Sequence, residues 1–252
     1  MRIPTACVND VNDLICTIDK LIQERSAQQD NSRWWFRGTC FVERPLLPTV
    51  KIGFSKEQEK YLANEFYVRA GTRYPNCPAQ DDYAGWLSLM QHYGLPTRLL
   101  DWSRSPLIAA YFAIHSNRRE SDACIWAMSP ASLNIDQGFE AYLYPLNAGT
   151  VKSFLMPALK GGEETNKVIA AMAVEIDPRM LMQQGAFTVH SSDQPLNEMP
   201  NCHKWLRKFT IPAVSIWKIT HELDIMGFRQ GDVFPDLNNL AAELKDIHGR
   251  ST

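Results

Sequence analysis

The chain has 252 residues, 26 Lys and Arg against 28 Asp and Glu, a formal net charge of −2 and 45% hydrophobic residues. That apolar share supplies a core for one large domain or two small ones. Near charge balance excludes nucleic-acid binding driven by a global basic field, while leaving room for a local basic cleft.

No Pro/Gly/Ser-rich linker divides the chain, so it is read as one domain over residues 1–252. Six scattered cysteines, Cys7, Cys16, Cys40, Cys77, Cys124 and Cys202, make no CxxC pair. They point to free thiols in a reducing compartment. The start "MRIPTACVND" has no apolar run behind its charge. The apolar runs near 106–114 and 168–174 fall far short of the roughly 20 residues a membrane helix needs. A cytoplasmic protein with no membrane partner is expected.

In chain order, residues 10–27 predict an amphipathic helix with Asp10 as N-cap and Val11, Leu14, Ile15, Ile18, Leu21 and Ile22 at helical spacing. "RWWFRG" (33–38) reads as a short buried strand. A helix follows from Ser55 to about Arg69, and another spans 81–94, stopped by Gly94 and Pro96. Residues 91–106, "QHYGLPTRLLDWSRSP", read as a connection rich in polar groups. A helix then starts at Ser105-Pro106 and is apolar on nearly every face, so it belongs at the centre. "ACIWAM" (123–128) and "VIAAMAVEI" (168–176) are strand candidates, the second also fitting a helix. "PRMLMQQ" gives a short turn or helix before the strands "GAFTVH" (185–190) and "WLRKFTIP" (205–212). Helices close the chain at 213–227 and from Asp236. Helices early and late with strands from the middle on predict an α+β fold. Its central sheet should be mixed or antiparallel, with an N-terminal helical region and flanking helices.

Three stretches carry the candidate chemistry. At the first, a helix start offers free N–H groups and partial positive charge, and Arg98, Ser103, Arg104 and Ser105 stand beside it. That combination suits a phosphate or carboxylate; equally, Ser-Pro is an ordinary helix start and Asp101 a partner for Arg98 or for loop amides. The second is "WWFRGTC" (34–40). Arg37 ends an apolar strand, where it either forks onto a phosphate or ribose hydroxyl or pairs with an acid such as Asp101. Gly38 permits close backbone approach. Cys40 lacks a base and reads as a packed thiol. The third, "DPRMLMQQGAFTVH" (177–190), places Gln183, Gln184 and Thr188 at a strand start. Glu175 and Asp177 share a face if 168–176 is a strand. His190, Cys202 and His203 lack any metal-ligand spacing, so no metal is expected. His92 and His221 read as structural.

Together these stretches resemble the FRG domain family, named for the Phe-Arg-Gly seen here as Phe36-Arg37-Gly38. The resemblance continues through "QHYGLPTRLLDWSRSPLIAAYFA" (91–113), "RMLMQQGAFTVH" (179–190) and "FPDLNNLA" (234–241). It covers residues 34–241, with 1–30 as a lead-in helix. A looser likeness to the three-part site of ADP-ribosyltransferases implies an ADP-ribosyltransferase-like fold. It also implies NAD as substrate and cleavage of the nicotinamide–ribose bond, in a bacterial toxin or phage-defence effector.

On that likeness Arg37, Asp101 and Gln184 are catalytic. Arg37, Gly38, Arg98, Ser103, Ser105 and Tyr111 bind the nucleotide, and a protein or nucleic acid accepts the ADP-ribose. Glutamine can hydrogen-bond a ribose hydroxyl but cannot neutralise a cation, so Asp101 or Glu175 would supply the charge. The alternative is a non-catalytic module binding a nucleotide, nucleic acid or protein, with Trp34, Trp35, Trp86, Tyr93 or Trp102 stacking on bases.

Overall fold

A computed structural model describes residues 2–26, 33–115, 121–174 and 178–249. Its strands are β1 (Thr5–Cys7), β2 (Trp35–Thr39), β3 (Leu99–Ser103), β4 (Ala123–Met128), β5 (Tyr144–Pro145), β6 (Val168–Met172), β7 (Gly185–His190) and β8 (Leu206–Ile211). They form one eight-stranded sheet in the order β1-β8-β4-β2-β3-β7-β6-β5. The two outermost pairs, β1–β8 and β5–β6, are parallel and the rest antiparallel. The α+β class and mixed sheet are as expected.

The early helices are α1 (Val11–Ser26), α2 (Thr49–Gly53), α3 (Lys56–Ala70), α4 (Tyr83–His92) and α5 (Pro106–Ile114). After them come α6 (Pro130–Asp136), α7 (Gly149–Leu155), α8 (Pro157–Lys160), α9 (Pro178–Met182) and α10 (Cys202–Trp205). Last are α11 (Ile216–Ile225), α12 (Gln230–Val233) and α13 (Leu237–His248). Their starts follow capping chemistry. Asp10 accepts from Asp13 N at 2.7 Å, Ser55 and Gln58 form a reciprocal capping box, and Ser105 precedes a proline at the first turn.

The stretch 91–106 is not a plain connection: it contains β3. Leu100 and Trp102 point into one core layer and Leu99 into another, as a pleated strand requires. Asp101, exposed between buried neighbours, interrupts the apolar run that marks a central strand. The short β1 and β5 and the helices between 130 and 160 have no counterpart in the sequence reading. Glu175 and Asp177 lie outside the described residues.

Three apolar clusters fill the two faces. One packs α1, α5 and α11 on β2, β4 and β8; a second packs α3, α4, α7 and α8 on β3, β6 and β7. The third lines the opposite face with Trp35, Trp102, Trp126 and Trp205. The first two clusters meet above the boundary between β2 and β3, and there the sheet is thin. β2 and β3 share one registered pair, Phe36 opposite Ser103, whereas β2–β4 and β3–β7 each run for five. Beyond that pair the two central strands separate.

Candidate functional site

A cavity of about 320 Å³ opens where β2 and β3 part. Strand alternation gives Phe36, Gly38 and Asp101 to one face of the sheet and Arg37 and Trp102 to the other, and all five line it. The cavity therefore reaches through the split rather than lying on one face.

Arg37 bridges the gap. Its Nη1 donates to the Asp101 carbonyl at 2.7 Å and stands 3.9 Å from the Asp101 carboxylate. The guanidinium thus satisfies a carbonyl in the stretch where β2 no longer pairs with β3. Burial pushes the Arg37 pKa below its ordinary value; the Asp101 charge opposes this and Arg44 adds to it. A guanidinium stays protonated through such a shift.

Asp101 is oriented by a relay from α4. Thr97 Oγ1 donates to Gln91 Oε1 at 2.6 Å, which turns the amide nitrogen outward to donate to Asp101 Oδ2 at 2.7 Å. Asp101 is the single carboxylate among the described residues that line the cavity, and its side chain is 56% exposed. Ser88, His92 and Cys40 also line the cavity.

Gly38 has a packing reason that outranks ligand approach. A Cβ there would stand 1.8 Å from the Ala109 carbonyl oxygen and 2.5 Å from Ala113 N, both backbone atoms of α5. The glycine lets α5 seat directly on β2, which fixes Ala109 and Phe112 as cavity wall.

Several expected site residues lie elsewhere. Arg98 is 1% exposed and faces away, its Nε and Nη2 on Glu59 at 2.8 and 2.7 Å, with Glu164 at 3.1 Å and the Phe154 carbonyl at 2.9 Å. It is an anchor within the fold and does not line the cavity. Burial works against the Glu164 charge, but Arg98, Lys51 and Lys56 hold its carboxyl below the usual range.

Tyr111 belongs to the core. One residue before Phe112 on α5, it turns away from the cavity and stacks on His115 at 4.7 Å beside Phe234. Burial pushes its hydroxyl pKa well up. Ser105 caps α5, accepting from Ile108 N, while its own N–H donates to Ser103 Oγ at 3.0 Å. The helix start therefore spends these donors internally, and Ser105 does not line the cavity. Ser103 does, but its hydroxyl donates to the Gln183 carbonyl at 2.7 Å.

Gln184 does not line the cavity. It sits exposed in a turn at φ 48°, its carbonyl accepting from Arg104 N. Gln183 lines the cavity instead, its amide donating to the Val233 carbonyl at 3.1 Å. Of the aromatics considered for base stacking, Trp34, Trp35 and Trp86 are buried away from the cavity and Tyr93 is exposed outside it; Trp102 alone lines it. Its indole donates to Thr188 Oγ1 at 3.1 Å, which also bonds His190 Nε2 at 2.9 Å.

Sequence reasoning missed Arg44, Gln91 and Ser88, and it treated His92 as structural. The signal for Gln91 was its place about one helical turn before the helix stop at Gly94, close to the strand that carries Asp101. Arg44 ends a short turn just before Pro45 and gave no periodic signal. Among the described residues no group of three His, Cys, Asp or Glu is placed to hold a metal ion, and no helix is long and apolar enough to cross a membrane.

No curated protein matches the chain, and neither does any solved structure. The family comparison finds the FRG domain over residues 32–122, a span containing β2, β3, the relay from Gln91 and the α5 helix. The later stretches 179–190 and 234–241 lie outside that match. The two strands that frame the cavity, and the glycine that seats α5 on one of them, thus fall within the segment that the FRG domain model matches.

Proposed function

We propose that the chain cleaves the nicotinamide–ribose bond of NAD, as an ADP-ribosyltransferase or NAD glycohydrolase. The observation that carries this reading is the meeting of Arg37 and Asp101 across the β2–β3 split, with Asp101 the single carboxylate among the described residues that line the cavity. The cavity volume sits at the small end of ligand pockets, so it takes the reacting portion of a dinucleotide. Arg37 holds a negative phosphate.

As the glycosidic C–N bond breaks, nicotinamide leaves as a neutral molecule with the bonding electron pair. Positive charge develops at the ribose carbon, and the Asp101 carboxylate, aimed by Gln91, stabilises it. An oxygen of water or of an acceptor hydroxyl then bonds to that carbon and releases its proton. Gln183, with its amide nitrogen on Val233, leaves its side-chain oxygen for a ribose hydroxyl. Depleting NAD or modifying a host protein is an act suited to a toxin or phage-defence effector.

The test is nicotinamide release from NAD by the wild-type protein, Arg37→Ala and Asp101→Asn, each checked for folding by circular dichroism. Wild type should release nicotinamide, and each variant should fall by about 10²–10³-fold, the usual cost of removing a charge-stabilising group. Intact NAD in the presence of folded wild-type protein and candidate acceptors would contradict the proposal.

A further inference from the structure

The turn after β2 brings a second guanidinium to the cavity. Arg44 lines it together with Arg37, and the two charges are close enough for Arg44 to disfavour protonation of Arg37. The arrangement is built, not incidental. Phe41 N donates to Thr39 Oγ1 at 3.2 Å, and Arg44 N donates to the Phe41 carbonyl at 3.2 Å. Lys208 Nζ pins the Val42 carbonyl at 3.0 Å, and Asn197 takes the Leu46 amide at 2.9 Å.

Two like charges held at one cavity by a pinned turn repel each other unless an anion lies between them. The protein offers little to neutralise them. Asp101 stands 3.9 Å from Arg37 and is engaged by Gln91 at 2.7 Å. The Arg44 side chain has no hydrogen bond or ion pair among the described residues, and Arg37 spends one N–H on the Asp101 carbonyl. A guanidinium carries five N–H donors in a planar fork matched to phosphate oxygens.

We propose that Arg44 and Arg37 form a two-armed clamp for the diphosphate of a nucleotide ligand, with Arg44 selecting phosphorylated ligands over bare nucleosides. The clamp rests on the nucleotide reading of the same cavity but requires no bond cleavage, so binding separates the two.

The experiment is isothermal titration calorimetry with inorganic pyrophosphate, ADP and adenosine, on wild type and Arg44→Ala, with melting curves for both. Wild type should bind pyrophosphate and ADP. Arg44→Ala should weaken both at least tenfold, melt as wild type does because the exposed side chain has no partner to lose, and leave adenosine binding unchanged. Added salt should weaken ADP binding to wild type more than to the variant.

Equal affinity of both proteins for ADP and pyrophosphate would overturn the clamp. So would folded wild type that binds neither, or a parallel loss of adenosine binding in the variant. Phosphate-dependent binding lost in Arg44→Ala, with no nicotinamide release from NAD, would uphold the clamp and remove the cleavage reading. Release with an unchanged KM in Arg44→Ala would do the reverse.

Discussion

Arg98 stands just before β3 with its guanidinium 1% exposed and forked onto Glu59, while Glu164 shares its Nη2 and reaches Lys51 at 3.4 Å and Lys56 at 3.2 Å. Removing one member of such a set leaves the others charged in a dry interior. Arg98→Ala should therefore cost about 3–5 kcal/mol of stability, the range for breaking a buried pair, measured by urea unfolding. A loss below about 1 kcal/mol, the range of surface pairs, would contradict the buried network. The two arginines of the motif stretches look alike in sequence, each in a run of apolar neighbours. What separates them is three-dimensional: Arg98 meets acids from residues 59 and 164, and Arg37 meets a carbonyl exposed by strand separation. Short-range pattern could nominate both but could not assign them. Gln183 and Gln184 show the same limit, since a single residue in the left-handed region decides which amide faces the cavity.

At the scale of elements, the site depends on α5 lying against β2. Gly38→Ala would drive a methyl group into the backbone of Ala109 and Ala113, atoms that cannot rotate away as a side chain would. The helix must lift or the strand must bend, and overpacking of this kind costs about 1–3 kcal/mol or more. A clear fall in melting temperature is expected; a variant as stable as wild type would show that the contact is looser than described. Much at this scale was legible in the sequence. "ACIWAM" and "GAFTVH" match β4 and β7 residue for residue, and Ser105-Pro106 marks the start of α5. Ser129-Pro130 opens α6 by the same chemistry and was equally readable. The strand at 99–103 was hidden because its middle residue is an exposed aspartate, placed there by the split that makes the cavity. The two-residue β5 and three-residue β1 are too short for any period to register.

At the scale of the whole molecule, one sheet carries the site at its thinnest junction and a buried polar network behind it. His190 is fully buried, and burial, followed by the charges of Lys51, Arg37 and Arg98, pushes its pKa down from 6.5 to about 3. The folded protein keeps it neutral, while the unfolded chain takes up a proton below its ordinary pKa. Stability from this group is thus complete above about pH 6.5 and is lost as the pH falls from there toward 3. Melting temperature followed over that range should decline, and His190→Gln should flatten the decline; identical slopes in both proteins would contradict the role given to His190.

We place ligand entry where β2 and β3 separate. The most direct test is titration of the ¹⁵N-labelled protein with ADP-ribose, read by amide and indole chemical shifts. The largest changes are expected at the amides of Gly38, Asp101, Ser103 and Gly185 and at the indole of Trp102, all on the cavity wall. Saturable changes confined to residues away from that wall, or no changes at all, would contradict it.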